Sequence, residues 1–168
     1  SQKSINLEII VVDGGSRDDS VAVAVAQGVR VLHSPPGRGQ QMNAGAAQAS
    51  AEWLLFLHAD TRPKYVTQLS DALAQLRAEG GNVAGHFALE FEREGGKNNL
   101  LYRYMQEKTA SHRRYTINGD QGLFIAQSWF VALQGYDTRM PFLEDQRIAA
   151  KVHDQGRWIL LPGRLATS

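Results

Sequence analysis

Five large apolar residues in a row, Trp53-Leu54-Leu55-Phe56-Leu57, run directly into His58-Ala59-Asp60-Thr61. An unbroken apolar run bounded by polar residues reads as a strand buried on both faces, the pattern of a parallel sheet. An imidazole and a carboxylate just past its C-terminal end lie where open α/β sheets bind ligands. The same arrangement occurs earlier: Glu8-Ile9-Ile10-Val11-Val12 leads into Asp13-Gly14-Gly15-Ser16. Two apolar strands that each end in an acid predict one crevice with two carboxylates at its rim.

The segments between and after these runs alternate in type. Arg17-Asp18-Asp19 places acids at the start of a helix that runs to about Gln27 and stops at Gly28. Val29 to Leu32 reads as a short strand, Ser34 to Gly39 as a loop, and the Ala-rich Gln40 to Ser50 as a helix. Pro63 suits the first turn of a further helix, whose Leu69, Ala72, Leu73 and Leu76 keep the 3.6-residue period up to Gly80-Gly81. Strand, helix, strand, helix, strand, helix predicts a doubly wound α/β sheet, mixed and mainly parallel, with helices on both faces. In the second half Val83, Gly85, Phe87, Leu89 and Phe91 alternate with small or polar residues, which predicts a half-exposed antiparallel strand. Glu92 to Asn99 reads as a loop and Leu100 to Ser111 as a helix. Leu123 to Ala126 reads as a strand, with Ser128 placed to cap the next helix. Phe142-Leu143-Glu144-Asp145 opens another helix, with Ile148, Ala149 and Val152 on one face and Gly156 as its stop. Trp158 to Leu161 is a last strand. All 168 residues read as one domain.

Several of these positions carry chemistry as well as structure. The glycines of Asp13-Gly14-Gly15-Ser16 let backbone approach a ligand, and a helix N-terminus receives anions; as plain structure the segment is a tight, capped turn. Its spacing is not that of a dinucleotide fingerprint or a Walker A loop. Arg38, between Gly37 and Gly39, has the planar fork that matches phosphate oxygens, or it is a solvated loop residue. His58 and Asp60, at i and i+2 of an extended segment, point to one side. One carboxylate beside substrate phosphates suits Mg²⁺ or Mn²⁺; otherwise Asp60 caps a helix and His58 belongs to the core. Glu144 and Asp145 either complement a helix dipole or supply a general base. Gly119, Asp120 and Gln121 precede a strand, where they contact substrate or simply turn the chain.

Composition narrows the classes. A net charge of +1 gives no pull toward nucleic acid, which is not an expected partner. The absence of cysteine excludes disulfides, thiolate zinc sites and cysteine nucleophiles from this chain, and it fits a reducing cytoplasm. No apolar stretch approaches 18 residues, and no signal peptide is visible at the start.

Taken in order, Val11-Val12-Asp13-Gly14-Gly15-Ser16, Gly37-Arg38-Gly39, Phe56-Leu57-His58-Ala59-Asp60-Thr61, Gly119-Asp120-Gln121-Gly122 and Phe142-Leu143-Glu144-Asp145 resemble the family-2 glycosyltransferases of the GT-A fold. They are close to a bacterial subgroup with a His-Ala-Asp-Thr motif. The resemblance runs from about Leu7 to Pro162. It implies transfer of a sugar from a nucleotide diphosphate sugar to an acceptor hydroxyl, with inversion at the anomeric carbon. Asp13 would recognise the base, with Gly14, Gly15 and Ser16 near the nucleotide, and Arg38 would meet the nucleotide or its phosphates. Asp60, with His58 at the first position of the family's Asp-x-Asp motif, would hold Mn²⁺ or Mg²⁺. Asp145 would be the base, Glu144 would position it or the acceptor, and Gly119, Asp120 and Gln121 would contact the acceptor.

The resemblance also implies elements not found here: a first strand with a Pro-x-x-Asn-Glu-like segment and C-terminal helices. The acceptor is expected to be lipid-linked or a small molecule. The location is expected to be cytoplasmic, with peripheral contact at the inner face of the membrane through the missing segments. Two other functions fit the residues: a nucleotide- or glycan-binding module without turnover, and a nucleotidyltransferase.

Overall fold

A computed structural model describes residues 5–92, 100–110, 119–139 and 144–167. The strands are β1 (Ile10–Asp13), β2 (Arg30–His33), β3 (Trp53–Phe56), β4 (Thr61–Pro63), β5 (Val83–Phe91), β6 (Leu123–Ala126) and β7 (Arg157–Thr167). The helices are α1 (Ser20–Ala26), α2 (Arg38–Gln48), α3 (Gln68–Glu79), α4 (Leu100–Thr109), α5 (Gln127–Ala132) and α6 (Glu144–Gln155). The loop expected over Glu92 to Asn99 lies, past Glu92, outside the described residues, as do Ser111 to Asn118.

The first half follows its sequence pattern. β1 and β2 pair in parallel, Ile10 opposite Arg30 and Asp13 opposite His33, joined through α1 as a crossover requires. The remaining strands form a five-stranded sheet in the order β3-β6-β5-β7-β4. Within it β3, β5 and β7 point one way and β6 and β4 the other. The sheet is therefore mixed: most strands share a direction, but β5 and β7 are its one parallel hydrogen-bonded pair among the described residues.

Side-chain alternation splits the core between the two faces of this sheet. One face carries Leu54, Ala84, Leu123, Ile125 and Trp158 against Ala46 of α2, Trp129 and Phe130 of α5, and Ile148, Ala149 and Val152 of α6. The other carries Val83, Phe87, Leu89, Phe124, Leu161 and Leu165 against Ala72 and Leu76 of α3. Helices thus cover both faces, as the alternation predicts.

Four expectations change on contact with the tertiary structure. β3 is not a doubly buried parallel strand: it pairs antiparallel with β6, and only Leu54 in it is fully buried. β5 is not half-exposed. It lies centrally between β6 and β7, and Val83 to Leu89 are all buried. Pro63 ends the edge strand β4 rather than opening α3; an edge tolerates a residue that cannot donate to a ladder. β7 continues six residues past Leu161, through Pro162-Gly163, because the ladder with β5 absorbs them in a bulge between the His86–Leu160 and Ala88–Arg164 pairings. A smaller correction is that Ser128 lies inside α5, which starts from Ala126 without a side-chain cap.

Candidate active site

The described structure places a cavity of about 580 Å³ between β1 and β3. Ile10, Val11 and Val12 line one side and Trp53 to Leu57 the other, while α2 contributes Met42, Gly45 and Ala46. Arg38, His58, Asp60 and Asp120 stand in its lining. Both strands named at the outset flank one crevice, and the polar residues of three separate motifs meet in it.

The Asp13 turn is built by its own carboxylate. Gly15 N–H donates to Asp13 Oδ2 at 3.0 Å and Ser16 N–H to Oδ1 at 3.0 Å, while His33 Nδ1 lies 3.4 Å from Oδ2. The Ser16 hydroxyl and amide, then the Gly15 amide and His33, hold the carboxyl down to about 2. Gly14 leaves room for Gln41: a Cβ there would lie 2.9 Å from Gln41 Cδ and would push aside the amide whose Nε2 donates to Val12 O at 2.8 Å. Gly15 follows with φ +102°, a conformation that L side chains rarely adopt.

Because the folded carboxyl sits below its ordinary 3.8, its contribution to stability is complete above that value and is lost as pH falls toward about 2. Asp13→Asn is expected to flatten this acid limb in thermal unfolding measured across pH. An unchanged limb would show that the turn does not draw on the charge.

At the end of β3, His58 Nδ1 contacts Asp120 Oδ1 at 2.6 Å. Asp120 belongs to a 3₁₀ turn, Gly119–Gln121, that leads into β6. The contact raises His58 above its ordinary value, against the opposing effect of burial, and lowers Asp120. Ligand atoms of His58, Asp60 and Asp120 all lie within 4.8 Å of one another. One imidazole nitrogen and two carboxylates are donors that suit a divalent cation such as Mn²⁺. Asp120 was expected at an acceptor, yet it stands with His58 and Asp60.

Asp145 comes to this cluster from the first turn of α6. Its carboxyl is raised by burial first and by the neighbouring Glu144 charge second, with His58 and Arg38 pulling the other way. Glu144 beside it is buried. Gly119 is the point of closest approach. A Cβ there would lie 2.5 Å from His58 Nε2 and 2.6 Å from Asp145 Oδ2. The charge of Arg38, the first residue of α2, reaches His58, Asp120 and Asp145.

Gln121 does not join the surface of the site. It is fully buried, and its Nε2 donates to Thr109 O at 2.7 Å and Phe87 O at 3.3 Å. It therefore ties the 3₁₀ turn to α4 and β5, and the expectation that it meets an acceptor gives way to that anchoring role.

Sequence reasoning missed the residues that tie α2 and α6 to the segment from Leu133 to Asp137. Asn43 on α2 exchanges two hydrogen bonds with the Tyr136 backbone: Nδ2 to Tyr136 O and Tyr136 N–H to Oδ1, both 2.9 Å. Lys151 Nζ donates to Leu133 O at 2.7 Å and Gly135 O at 3.1 Å. Asp137 joins Arg139 to Arg147, which lies two residues past Asp145, and these arginines hold its carboxyl far below the usual range. Asn43 is a polar residue in an Ala-rich helix, but no local signal names its partner.

Residues 1–136 match the model of Glycosyl transferase family 2, and the chain belongs to that family. Its fold is the GT-A fold of solved glycosyltransferases. S. aureus TarS (residues 1–349) in complex with UDP superimposes with a TM-score of 0.71 at 18% identity, covering 95% of this chain and 50% of that one. Mannosyltransferase PcManGT from Pyrobaculum calidifontis, in complex with GDP-Man and Mn²⁺, gives 0.69 at 18% identity, covering 95% and 47%. Glucosyl-3-phosphoglycerate synthase from Mycobacterium tuberculosis, with Mn²⁺, UDP and glucosyl-3-phosphoglycerate, gives 0.57 at 19% identity, covering 96% and 61%. The chain therefore spans about half to three-fifths of the length of these solved chains.

Proposed function

We propose that this chain carries the catalytic site of an inverting, divalent-cation-dependent glycosyltransferase that uses a nucleotide diphosphate sugar. The observation that carries the reading is the meeting of a half-buried Asp145, its carboxyl raised above the ordinary value, with the His58, Asp60 and Asp120 cluster beside a crevice that also holds Arg38. In this reading the nucleotide lies along the C-terminal ends of β1 and β3. The Asp13 turn meets the base and Arg38 the diphosphate.

His58 and Asp60 would hold the cation, and the donor set fits it: nitrogen and oxygen ligands in one cluster, with room left for phosphate oxygens. When bound, such a cation neutralises charge gathering on the diphosphate leaving group. Asp145 Oδ2 takes the proton of the acceptor hydroxyl, whose oxygen bonds to the anomeric carbon as the bond to the diphosphate breaks. Attack from the face opposite the leaving group inverts that carbon. Burial raises Asp145 toward a useful base strength, and Glu144 adds to that shift.

Support for donor class comes from relatives of the same fold solved with UDP or with GDP-Man and Mn²⁺. The test is calorimetric titration of the purified chain with UDP and GDP, each with and without Mn²⁺. Binding of one nucleotide that strengthens with Mn²⁺ is the expected result. No binding of either would overturn the reading for this chain, and equal affinity with and without Mn²⁺ would remove the cation from it.

A further inference from the structure

The His58 ring faces two groups at once. Its Nδ1 lies 2.6 Å from Asp120 Oδ1, and one of its ring nitrogens lies within 4.8 Å of carboxylate oxygens of both Asp60 and Asp120. Its Nε2 is buried and has no hydrogen-bond partner among the described residues. That atom and Asp145 Oδ2 crowd the same point beside Gly119, at 2.5 and 2.6 Å from where a Cβ would stand. A buried polar atom left without a partner needs a reason.

We propose that His58 couples the cation cluster to the catalytic base: ion binding at Nδ1 displaces the Asp120 hydrogen bond and leaves the ring hydrogen on Nε2, which donates it to Asp145 Oδ2. The inference rests on the cation reading above and adds the link to Asp145. The chemistry balances in a simple way. A bound ion would take the Nδ1 lone pair; the Nδ1 hydrogen would leave to solvent and Nε2 would take up a proton from solvent, so that the ring stays neutral with its one hydrogen on Nε2. Histidines that ligate metals hold their other ring N–H on a carboxylate or carbonyl in this manner. Asp145 is then aimed by a donor that is fixed when the cation is in place, so the base is set in position only in the loaded site. His58 acts on the base as a positioning residue. Gly119 is what lets ring and carboxylate close on one another, because any side chain at that position would stand between them.

The experiment is nitrogen-15 NMR of the histidine side chains in the full chain, first alone and then with UDP and Cd²⁺ as a diamagnetic probe ion. His58→Gln identifies the His58 signals by their loss. In the ion-free chain the hydrogen is expected on Nδ1. In the loaded chain Nδ1 is expected to show the shift of a metal-bound nitrogen and Nε2 to carry the hydrogen. Should His58→Gln not fold, the nitrogen-14 coupling to bound Mn²⁺, read by electron spin echo in the unaltered protein, reports the same ligation.

If the ion and UDP bind and the hydrogen stays on Nδ1, or if bound Mn²⁺ shows no nitrogen coupling, the link is overturned and the donor-site reading stands. If calorimetry shows that neither ion binds with UDP, the cation reading falls and takes the link with it.

Discussion

Asp145→Asn is expected to lower sugar transfer by about 10²- to 10⁴-fold, the usual contribution of a positioned general base, while nucleotide binding stays as it was. The asparagine side chain has the same shape and cannot take a proton. Burial already works against the charged form of Asp145, and Glu144 adds a like charge beside it. A neutral amide relieves both, so the variant should fold at least as well as the parent. That separates this prediction from a simple loss of structure. Turnover and UDP or GDP calorimetry on the same preparation check it. Undiminished transfer would remove Asp145 from the base role. Nucleotide binding by a parent chain that shows no turnover would favour a binding module.

Gly119→Ala should be nearly as damaging, for a different reason. The methyl group would lie 2.5 Å from His58 Nε2, 2.6 Å from His58 Cε1 and 2.6 Å from Asp145 Oδ2. Cβ atoms in real structures do not sit that close, so ring and carboxylate must part. The expected effect is one of contact. Overpacking of this kind costs about 1–3 kcal/mol of stability. The functional cost is expected to be larger, since a displacement of about 1 Å at the reacting groups lowers rate by roughly 10²-fold. Melting temperature and kcat measured together decide it. A variant that melts a few degrees lower yet transfers at the parent rate would show that the close approach of His58 and Asp145 is not used.

Much of the site was written locally. Most of the motifs sit at a strand end or a helix start, and those places follow from composition: Ile10 to Val12 and Trp53 to Leu57 are apolar runs, each followed by small and polar residues. Asp13, Arg38, His58, Asp60 and Asp145 could therefore be named one by one. Their meeting could not. His58 reaches Asp120 across 62 residues and Asn43 reaches Tyr136 across 93, and nothing in either neighbourhood carries the address of the other.

Gln121 shows the opposite failure. A polar residue in a Gly-rich turn looks exposed, yet it is fully buried because two backbone carbonyls, those of Phe87 and Thr109, need its amide.

The amino-acid order by itself determined the α/β class, the strand and helix sequence of the first half apart from β4, the face that Ile148, Ala149 and Val152 bury, and the candidate residues for chemistry. Tertiary structure decided that β3 pairs antiparallel with β6, that β5 is central, that β7 runs through Pro162-Gly163, and that Asp120 stands with His58 and Asp60 rather than apart. The physical reason is one of range. Periodicity and turn chemistry report how a segment hides its apolar side chains and satisfies its own backbone. Which strand supplies the neighbouring edge, and which carboxylates are thereby brought within reach of one imidazole, is set by the energy of the whole sheet and the helices packed on it.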